Sequence, residues 1–503
     1  MGLVRVAAVQ LEATQDVSEN LATCLRLIDD AAARGAQLIV LPEFCNHLSW
    51  YADRAQARER ATRPGDPFLT SLSERAARHG VHLKVNVTHA HPDGTTGGTN
   101  FLFGPSGELL GQCDKQTLMG SENDFLNPGG QVGPIVDTPL GRLGMYACME
   151  GVLPEVARGL ALRGAQVLLN SLNSFATDEA SLHIPVRAAE NRVWVVAANK
   201  IGPLLPIEHL PRISAGLGVP PQWLHGAGES QIVAPDGTVV ARGPRTGEAV
   251  VIADIDPALA DAKGRAFTAR RPALYGPLAQ PPHGRRHPAG APSLNVAVVR
   301  SPDAVATAAA DGAELILLTV PADPSAVATA LANTTAHAVL AQATGGVLVG
   351  AQGVVGRQEQ GEAPCVFAMP WGRLAIVIGE DSIVPEHFRL AALDDADVVV
   401  VLGEPQEPWE LALGLPERAA ENRLNLVHSQ AVFSLSGDFT LWTQWEGPFT
   451  GRISHPIITE AKPGEEVTHA VVAPAQAANR LVSRNTDLVD GRPWRLLHAL
   501  IEG

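Results

Sequence analysis

The feature that most constrains this chain is an internal repeat. The tripeptide Gly-Arg-Leu occurs at 141–143 and again at 372–374, a shift of 231 residues (from 141 to 372). The hexapeptide RAAENR recurs at 187–192 and 418–423 with the same shift. This period is far longer than that of solenoid repeats, so each copy is expected to be a domain with its own core. At 503 residues the chain is long enough for two such domains.

A stretch rich in proline and glycine separates the two copies. Residues 277–292 (PLAQPPHGRRHPAGAP) show no periodic hydrophobicity, which is typical of an exposed interdomain linker. Directly after it, LNVAVVR at 294–300 repeats the pattern of VRVAAVQ at 4–10. The sequence therefore predicts a first domain over 1–276, a linker over 277–292 and a second domain over 293–503.

Within the first copy, apolar runs of strand length alternate with helical patterns, which indicates a layered α/β fold. Residues 4–10 and 37–41 are expected to be strands, with a helix between them near 18–34. Catalytic groups in such sheets tend to follow the C-terminal ends of strands. Glu43 and Cys148 both occupy positions of that kind.

Composition excludes several functional classes. The formal charge of −15 argues against a nucleic-acid partner, and the sequence has no apolar run long enough to span a membrane. The N-terminus resembles a buried strand rather than a signal peptide. Neither a CxxC pair nor a metal-ligand spacing occurs, so we expect reduced thiols, no metal and a cytoplasmic location. The five cysteines are Cys24, Cys45, Cys113, Cys148 and Cys365.

Four residues of the first copy stand together as catalytic candidates. Each has an ordinary interpretation alone, because a single Glu or Lys is usually a loop or surface residue and a single Cys is usually buried packing. Together, the motifs LPEF, DKQTLMG, ENDFLNPGG, YACMEGVLPE and RAAENRVWVVAANKIG resemble those of the nitrilase superfamily, the carbon–nitrogen hydrolases. GESQIVAPDG and ARRPALYG resemble the closing motifs of that family, and the resemblance covers about residues 4–276. The four candidates are Glu43, Lys115, Glu122 and Cys148.

The resemblance implies a four-layer α-β-β-α sandwich, present twice in the chain. It implies that Cys148 is the nucleophile, that Glu43 is its general base, and that Lys115 stabilises the developing negative charge. Glu122 would hold Lys115 and the substrate nitrogen in place, and no metal or organic cofactor would be required. The further candidates for oxyanion and substrate binding are Met149 (through its backbone N–H), Glu150, Trp50, Tyr51 and Asn173.

Substrate identity is less constrained by the sequence. The spacing from Glu122 to Pro128 resembles the N-carbamoyl amidohydrolase branches, whereas residues 151–153 lack the arginine that would hold a substrate carboxylate. We expect a neutral, partly apolar small amide or N-carbamoyl compound, with an insertion at 202–228 as a candidate lid. A nitrile substrate, acyl transfer to another nucleophile, and a non-catalytic binding or scaffold role remain alternatives.

The second copy departs from the catalytic pattern. Val320 stands opposite Glu43, Gly379 stands opposite Cys148, and residues 353–372 contain no lysine. We therefore predict a degenerate second domain, a pseudoenzyme. Members of the family generally pair through the face near the cysteine, so the resemblance implies an intramolecular pseudo-dimer with one active site per chain. Further homo-oligomerisation stays open.

Overall fold

A computed structural model describes residues 2–436 and 449–502 of the chain. Four six-stranded sheets form two sandwiches, one in each copy. The strands of the first copy are β1 (Val4–Gln10), β2 (Leu38–Val40), β3 (His82–Ala90), β4 (Thr96–Phe103), β5 (Leu109–Asp114), β6 (Ile135–Thr138), β7 (Gly141–Ala147), β8 (Val167–Ser171), β9 (Trp194–Ala198), β10 (Gln231–Val233), β11 (Val239–Arg242) and β12 (Ala249–Ile255). Its helices are α1 (Val17–Ala33), α2 (Arg54–Arg60), α3 (Pro67–His79), α4 (Glu122–Phe125), α5 (Met149–Val152), α6 (Pro154–Leu162), α7 (Ile184–Asn191), α8 (Leu210–Leu217) and α9 (Arg265–Thr268).

The first sandwich has a parallel centre in each sheet. One sheet has the order β12-β1-β2-β3-β4-β5, and β1, β2 and β3 are parallel. The other has the order β11-β10-β9-β8-β7-β6, and β7, β8 and β9 are parallel. The outer strands of both sheets are antiparallel. Because parallel strands end at the same edge of a sheet, the residues that follow β7 and β8 are neighbours. Across the two sheets, the N–H of Glu43 after β2 donates to the carbonyl of Leu172 after β8 at 3.2 Å.

Alternation along the buried strands builds the layers. In β1, Val6 and Ala8 pack into the core between the two sheets, whereas Ala7 and Val9 pack under α1 and α3. The outer face of the second sheet is covered by α6 and α7. The order is therefore α-β-β-α, which confirms the predicted fold. No helix among the described residues combines the length and apolar composition needed to cross a bilayer.

The second copy repeats the two sheets of this sandwich strand for strand and adds a two-stranded sheet, β25-β26. Its sheets have the orders β24-β13-β14-β15-β16-β17 and β18-β19-β20-β21-β22-β23. Its strands are β13 (Leu294–Val299), β14 (Leu315–Leu318), β15 (His337–Gln342), β16 (Gly345–Gly350), β17 (Gly353–Glu359), β18 (Val366–Met369), β19 (Gly372–Ile378), β20 (Val398–Leu402), β21 (Asn425–His428), β22 (Ala431–Ser434), β23 (Ile457–Glu460), β24 (Val467–Val472), β25 (Leu481–Ser483) and β26 (Thr486–Asp487). Its helices are α10 (Ala304–Ala310), α11 (Pro324–Ala330), α12 (Pro385–Leu393), α13 (Leu415–Asn422) and α14 (His498–Ile501).

The repeat register seen in the sequence is also the structural register. Helices α6 and α12, and helices α7 and α13, begin and end at positions that differ by the same 231 residues. Each copy also carries a π-helical turn at the matching place, Glu179–His183 in the first and Glu410–Gly414 in the second. The tandem duplication predicted from the sequence is thus confirmed.

Two buried ion pairs join the copies with two-fold pseudo-symmetry. Arg158 Nε lies 3.0 Å from Glu386 Oε1, and Arg389 Nε lies 2.8 Å from Glu155 Oε1. All four side chains are almost fully buried, and each residue of one pair is the repeat equivalent of a residue in the other. The same patch is therefore used on both sides, as in a symmetric dimer interface.

The repeated RAAENR helices form a second symmetric network. Arg187 of α7 contacts Glu421 of α13, and Arg418 of α13 contacts Glu190 of α7. Each arginine also pairs with the glutamate three residues later on its own helix. Charges this deeply buried are tolerated only when they are paired and hydrogen-bonded, so these helices hold each other at the interface.

The terminal segments of the copies are exchanged. Tyr275 and Leu278, at the end of the first copy, are buried in the core of the second copy beside α12 and α13. In return, Val482 and Leu488 of the second copy pack with Met149 beside the first copy's cysteine. Residues 280–292 contain no helix or strand, but Arg285 is ion-paired to Asp397 and His287 to Asp395. The segment is thus tied to the second copy, while the domain boundaries stay a prediction.

Candidate active site

Cys148 sits on a strained elbow at the end of β7. Its backbone has φ 50° and ψ −108°, a conformation that residues other than glycine rarely adopt. The Cys148 N–H donates to the carbonyl oxygen of Ser171 at 2.9 Å and to Asn170 Oδ1 at 3.1 Å. Gly379 of the second copy keeps φ 55°, so the elbow shape persists there without the thiol. The elbow presents Cys148 immediately before the single turn of α5.

Three of the other predicted residues meet around one ammonium group. Lys115 Nζ lies 2.8 Å from Glu43 Oε1 and 2.8 Å from Glu122 Oε2, and the side chains of Glu43 and Lys115 are completely buried. Glu43 follows β2, Lys115 follows β5, and Glu122 begins α4. The N–H of Met119 donates to Glu122 at 2.8 Å and fixes that carboxylate. The fold therefore brings these residues together from three separate segments.

Burial and the surrounding charges determine whether the Cys148 thiol is protonated. Burial and the charge of Glu43 raise the pKa of the Cys148 thiol well above its usual range, and Lys115 only partly opposes them. Burial alone would lower the pKa of Lys115, but Glu122 and Glu43 outweigh it and raise that pKa. The thiol is thus protonated at neutral pH and needs a base. Apart from the ion pair with Lys115, neither Glu43 oxygen has an aligned hydrogen-bond donor among the described residues.

Glu150 has a different environment from the one expected of a substrate-binding residue. Its two oxygens accept hydrogen bonds from the backbone N–H of Gln116 at 2.6 Å and of Ala147 at 2.8 Å. Burial raises the pKa of Glu150 to about 7. These contacts tie the loop after Lys115 to the end of β7, so Glu150 braces the site and offers no open carboxylate.

The remaining predicted site residues differ in their distance from Cys148. Met149 is the first residue of α5, where a helix leaves its N–H without an intrahelical partner, as an oxyanion donor requires. Asn173 Oδ1 is buried without a hydrogen-bond partner among the described residues. Trp50 and Tyr51 lie further out, and the Tyr51 hydroxyl is already hydrogen-bonded to Thr88 at 2.9 Å.

An outer cavity of about 500 Å³ lies beyond the cluster of candidate catalytic residues. The side chains of Glu43, Lys115, Glu122 and Cys148 do not line it. Trp50 connects the two regions, because it lines the cavity, packs with the apolar cluster around Met149 and lies 5.4 Å from the ring of His209 in the insertion. The cavity is lined by Gln15, His47, Trp50, Tyr51, Ala52, Gln56, Arg60, Pro206 and His209.

Several buried polar residues near the cysteine were missed by the sequence analysis. Lys84 Nζ donates to Ser171 Oγ and to the Tyr146 carbonyl, and burial lowers the pKa of Lys84 to about 7. Burial also lowers the pKa of Lys200 to about 8, and its Nζ lies 6.0 Å from the ring centroid of Phe44. A lysine inside the apolar strand LKVNV was a visible signal for Lys84, since buried lysines are rare. Glu179 had no comparable signal.

The second copy contributes directly to the loop that carries Glu122. Thr486 Oγ1 accepts from the N–H of Gly120 at 2.9 Å and donates to the carbonyl of Leu118 at 3.1 Å. Arg484 is ion-paired with Asp124 on the same loop. Thr486 is 1% exposed, so these contacts are shielded from water. Residues of the second copy therefore fix loop 116–124 through two hydrogen bonds and an ion pair.

Among residues 2–436 and 449–502, no group of three or more His, Cys, Asp or Glu side chains has an arrangement that could hold a metal ion. The chemistry of the cluster described above is that of a thiol, two carboxylates and an ammonium group.

The chain is similar to one family model and to several known proteins. The model of the carbon-nitrogen hydrolase family matches residues 5–264. A nitrilase from Pyrococcus abyssi is 29% identical over 256 residues, which are 50% of this chain and 90% of that protein. An N-carbamoylputrescine amidase from Solanum lycopersicum is 29% identical over 298 residues, covering 54% of this chain and 94% of that protein. A solved structure of an amidase from Nesterenkonia sp. is 24% identical, covers 53% of this chain and 95% of that one, and has a TM-score of 0.43.

The match to the family model spans just over half of the 503 residues and contains Glu43, Lys115, Glu122 and Cys148. The chain belongs to the carbon-nitrogen hydrolase family, and it is an enzyme that acts on carbon–nitrogen bonds.

Proposed function

We propose that the enzyme hydrolyses the C–N bond of a small amide or N-carbamoyl compound through a thioester on Cys148. The observation that carries this proposal is the buried ion-paired array of Glu43, Lys115 and Glu122 beside the strained cysteine elbow. Attack on an amide carbon needs a thiolate, and a buried thiol with a raised pKa becomes one only when a base removes its proton.

In the first step, Glu43 takes the thiol proton as Cys148 Sγ bonds to the carbonyl carbon. The carbonyl oxygen gains negative charge, which the Lys115 ammonium and the Met149 N–H stabilise. Collapse of this intermediate breaks the C–N bond, and Glu43 returns its proton to the leaving nitrogen. Ammonia or an amine departs, and the acyl group stays on Cys148 as a thioester.

In the second step, water attacks the thioester carbon. Glu43 accepts the water proton, the C–S bond breaks, and the proton returns to the Cys148 sulfur. Glu122 supports both steps because it holds Lys115 and is itself fixed by the Met119 N–H. A nitrile substrate would use the same nucleophile and lysine, and one similar protein is named a nitrilase, so nitrile hydrolysis is the second candidate.

The proposal is tested by intact-mass spectrometry after incubation with a panel of amides, N-carbamoyl compounds and nitriles. We expect a covalent adduct that maps to Cys148, disappears in Cys148→Ser and persists in Cys365→Ser, which changes an exposed cysteine. Ammonia or amine release from the same panel separates amides from nitriles. A folded protein that turns over substrate with Cys148→Ser would refute the mechanism.

We further propose that the second copy is a built-in dimer partner without catalysis of its own. Support comes from the pseudo-symmetric pairs Arg158–Glu386 and Arg389–Glu155, and from Thr486 beneath the catalytic loop. A fragment of residues 1–276 would expose Arg158 and Glu155, and a second fragment would offer the same two groups in return. We expect this fragment to self-associate or lose activity. A monomeric, fully active fragment would contradict the proposed role.

A further inference from the structure

Glu179 is a buried carboxyl group that the mechanism above does not use. It begins the π-helical turn Glu179–His183, which packs against α5, the turn directly after Cys148. Its side chain is 5% exposed, and Oε2 has no hydrogen-bond partner among the described residues. Burial and the charge of Glu43 are the main causes that raise the pKa of the Cys148 thiol, and Lys115 opposes them. The charge of Glu179 raises this pKa further, by a smaller amount. Glu179 thus has one carboxyl oxygen without a hydrogen-bond partner, close to the nucleophile.

In the second copy, the carboxyl group equivalent to that of Glu179 is paired with an arginine. Glu410 is the repeat equivalent of Glu179 and begins the matching π-helical turn. Its Oε1 lies 2.7 Å from Nη1 of Arg265, and its Oε2 accepts the N–H of Gln406 at 2.9 Å. At the same place in the same fold, the second copy therefore satisfies the carboxylate with a guanidinium group.

The turn that carries Glu179 is fixed on both sides by the second copy. Asp178 accepts hydrogen bonds from Ser454, through its backbone N–H at 2.8 Å and its hydroxyl at 2.9 Å. His183 Nδ1 lies 2.8 Å from Glu417 Oε2, and the N–H of Thr177 donates to a carbonyl of the same copy. These contacts hold the backbone on either side of Glu179, so the carboxyl position is set before substrate binds.

We infer that Glu179 is a specificity-determining residue that binds a cationic N–H donor of the substrate, an ammonium or guanidinium group near the scissile C–N bond. A buried carboxylate without a partner is unfavourable, and a bound cation with N–H donors supplies both the charge and the hydrogen bonds. The inference rests on the proposed function for the location of the scissile bond. It replaces the neutral substrate expected from the sequence with a positively charged one.

The test uses two thiol reagents that differ in tail charge and carry the same reactive group. In both 2-aminoethyl and 2-sulfonatoethyl methanethiosulfonate, the Cys148 thiolate attacks the sulfenyl sulfur, an S–S bond forms and methanesulfinate leaves. The full-length enzyme is treated with each reagent, and the rate at Cys148 is read by peptide mapping, which separates it from the other four cysteines. The measured quantity is the ratio of the cationic to the anionic rate.

We expect this ratio to fall about ten-fold in Glu179→Gln, since one close charge contact typically changes an equilibrium or rate by that order. The matched control is Glu208→Gln, which removes an exposed carboxylate from the insertion and should leave the ratio unchanged. Melting temperatures verify that both variants fold.

An unchanged ratio in a folded Glu179→Gln variant would overturn the inference, and so would an equal fall in Glu208→Gln. Failure of the proposed function has a different signature, because Cys148 would then stay unmodified by both reagents in the wild-type enzyme. Once a substrate is known, Glu179→Gln should raise KM for cationic amides more than for their uncharged analogues.

Discussion

The replacement Thr486→Val tests whether the second copy supports catalysis. Valine keeps the shape of threonine but removes the hydroxyl that accepts from the Gly120 N–H at 2.9 Å and donates to the Leu118 carbonyl at 3.1 Å. Gly120 and Leu118 are both buried, so water does not replace the lost partner easily. The loop between Lys115 and Glu122 would therefore lose its buried hydrogen bonds to the second copy, while the Arg484–Asp124 ion pair remains.

The structure sets the size of the effect. Leaving a buried backbone donor unsatisfied costs about 1–3 kcal/mol. If about 2 kcal/mol of this is expressed as displacement of the loop from its catalytic position, the rate falls about 30-fold. Most of the loss should appear in kcat, because Thr486 touches the loop that carries Glu122 and has no contact with the outer cavity.

The assay is the rate of Cys148 alkylation by iodoacetamide, followed by turnover of whichever amide is active. Thr486→Ser keeps the hydroxyl and should restore most of the rate. Thr319→Val is the matched control, because it removes a second-copy hydroxyl that donates to the Val299 carbonyl at 3.2 Å, away from the loop. Wild-type alkylation and turnover in Thr486→Val, with only a lower melting temperature, would refute the reasoning.

Three further outcomes are expected. Glu386→Gln leaves Arg158 buried without its carboxylate and should destabilise the fold by about 3–5 kcal/mol, measured by denaturant unfolding, whereas Glu248→Gln, in an exposed pair, should cost less than about 1 kcal/mol. Burial would raise the pKa of Glu386, but Arg158 and Arg270 outweigh it and lower that pKa below 4.5. The stabilisation from the ionised carboxylate is therefore complete above pH 4.5 and is lost as the pH falls below that value. Unfolding measurements at decreasing pH should show the free energies of unfolding of the wild type and Glu386→Gln converging. Gly379→Cys should fold at some cost in stability, because its φ of +55° strains any side chain, but the added Cβ meets only the flexible end of Gln360 and Cys148 adopts a similar φ in the first copy. In a Cys148→Ser background it should restore no turnover.

The sequence predicted the fold well because its signals were local or repeated. The strand at 4–10 is confirmed, and the helix expected near 18–34 is Val17–Ala33. Strands buried on both faces are nearly continuous apolar runs, which a sequence displays directly. The second copy added an independent control, since features that it keeps without the thiol serve the fold.

The rest of the site depends on contacts that the sequence does not encode locally. Glu43, Lys115 and Glu122 were predicted from motifs, and the fold brings them together. Thr486 acts across more than 300 residues of chain, and no periodicity connects it with Gly120. The two oxygens of Glu150 are satisfied by backbone N–H groups that become neighbours only after folding. Such pairings are decided by tertiary packing, within a copy or between copies, rather than by residue type.

The two elbows differ in how the carboxylates around them are paired. In the second copy, the elbow carboxylates Glu380 and Asp381 are ion-paired with Arg265 and Arg271, at 2.8 Å and 3.1 Å, from the end of the first copy. Together with the pairing of Glu410, these contacts place three carboxylates of the second copy beside arginines. Glu179, the repeat equivalent of Glu410, has an Oε2 without a hydrogen-bond partner among the described residues. Under the inference above, a cationic substrate would give Glu179 the partner that Arg265 gives to Glu410, and the rate ratio in Glu179→Gln tests that equivalence.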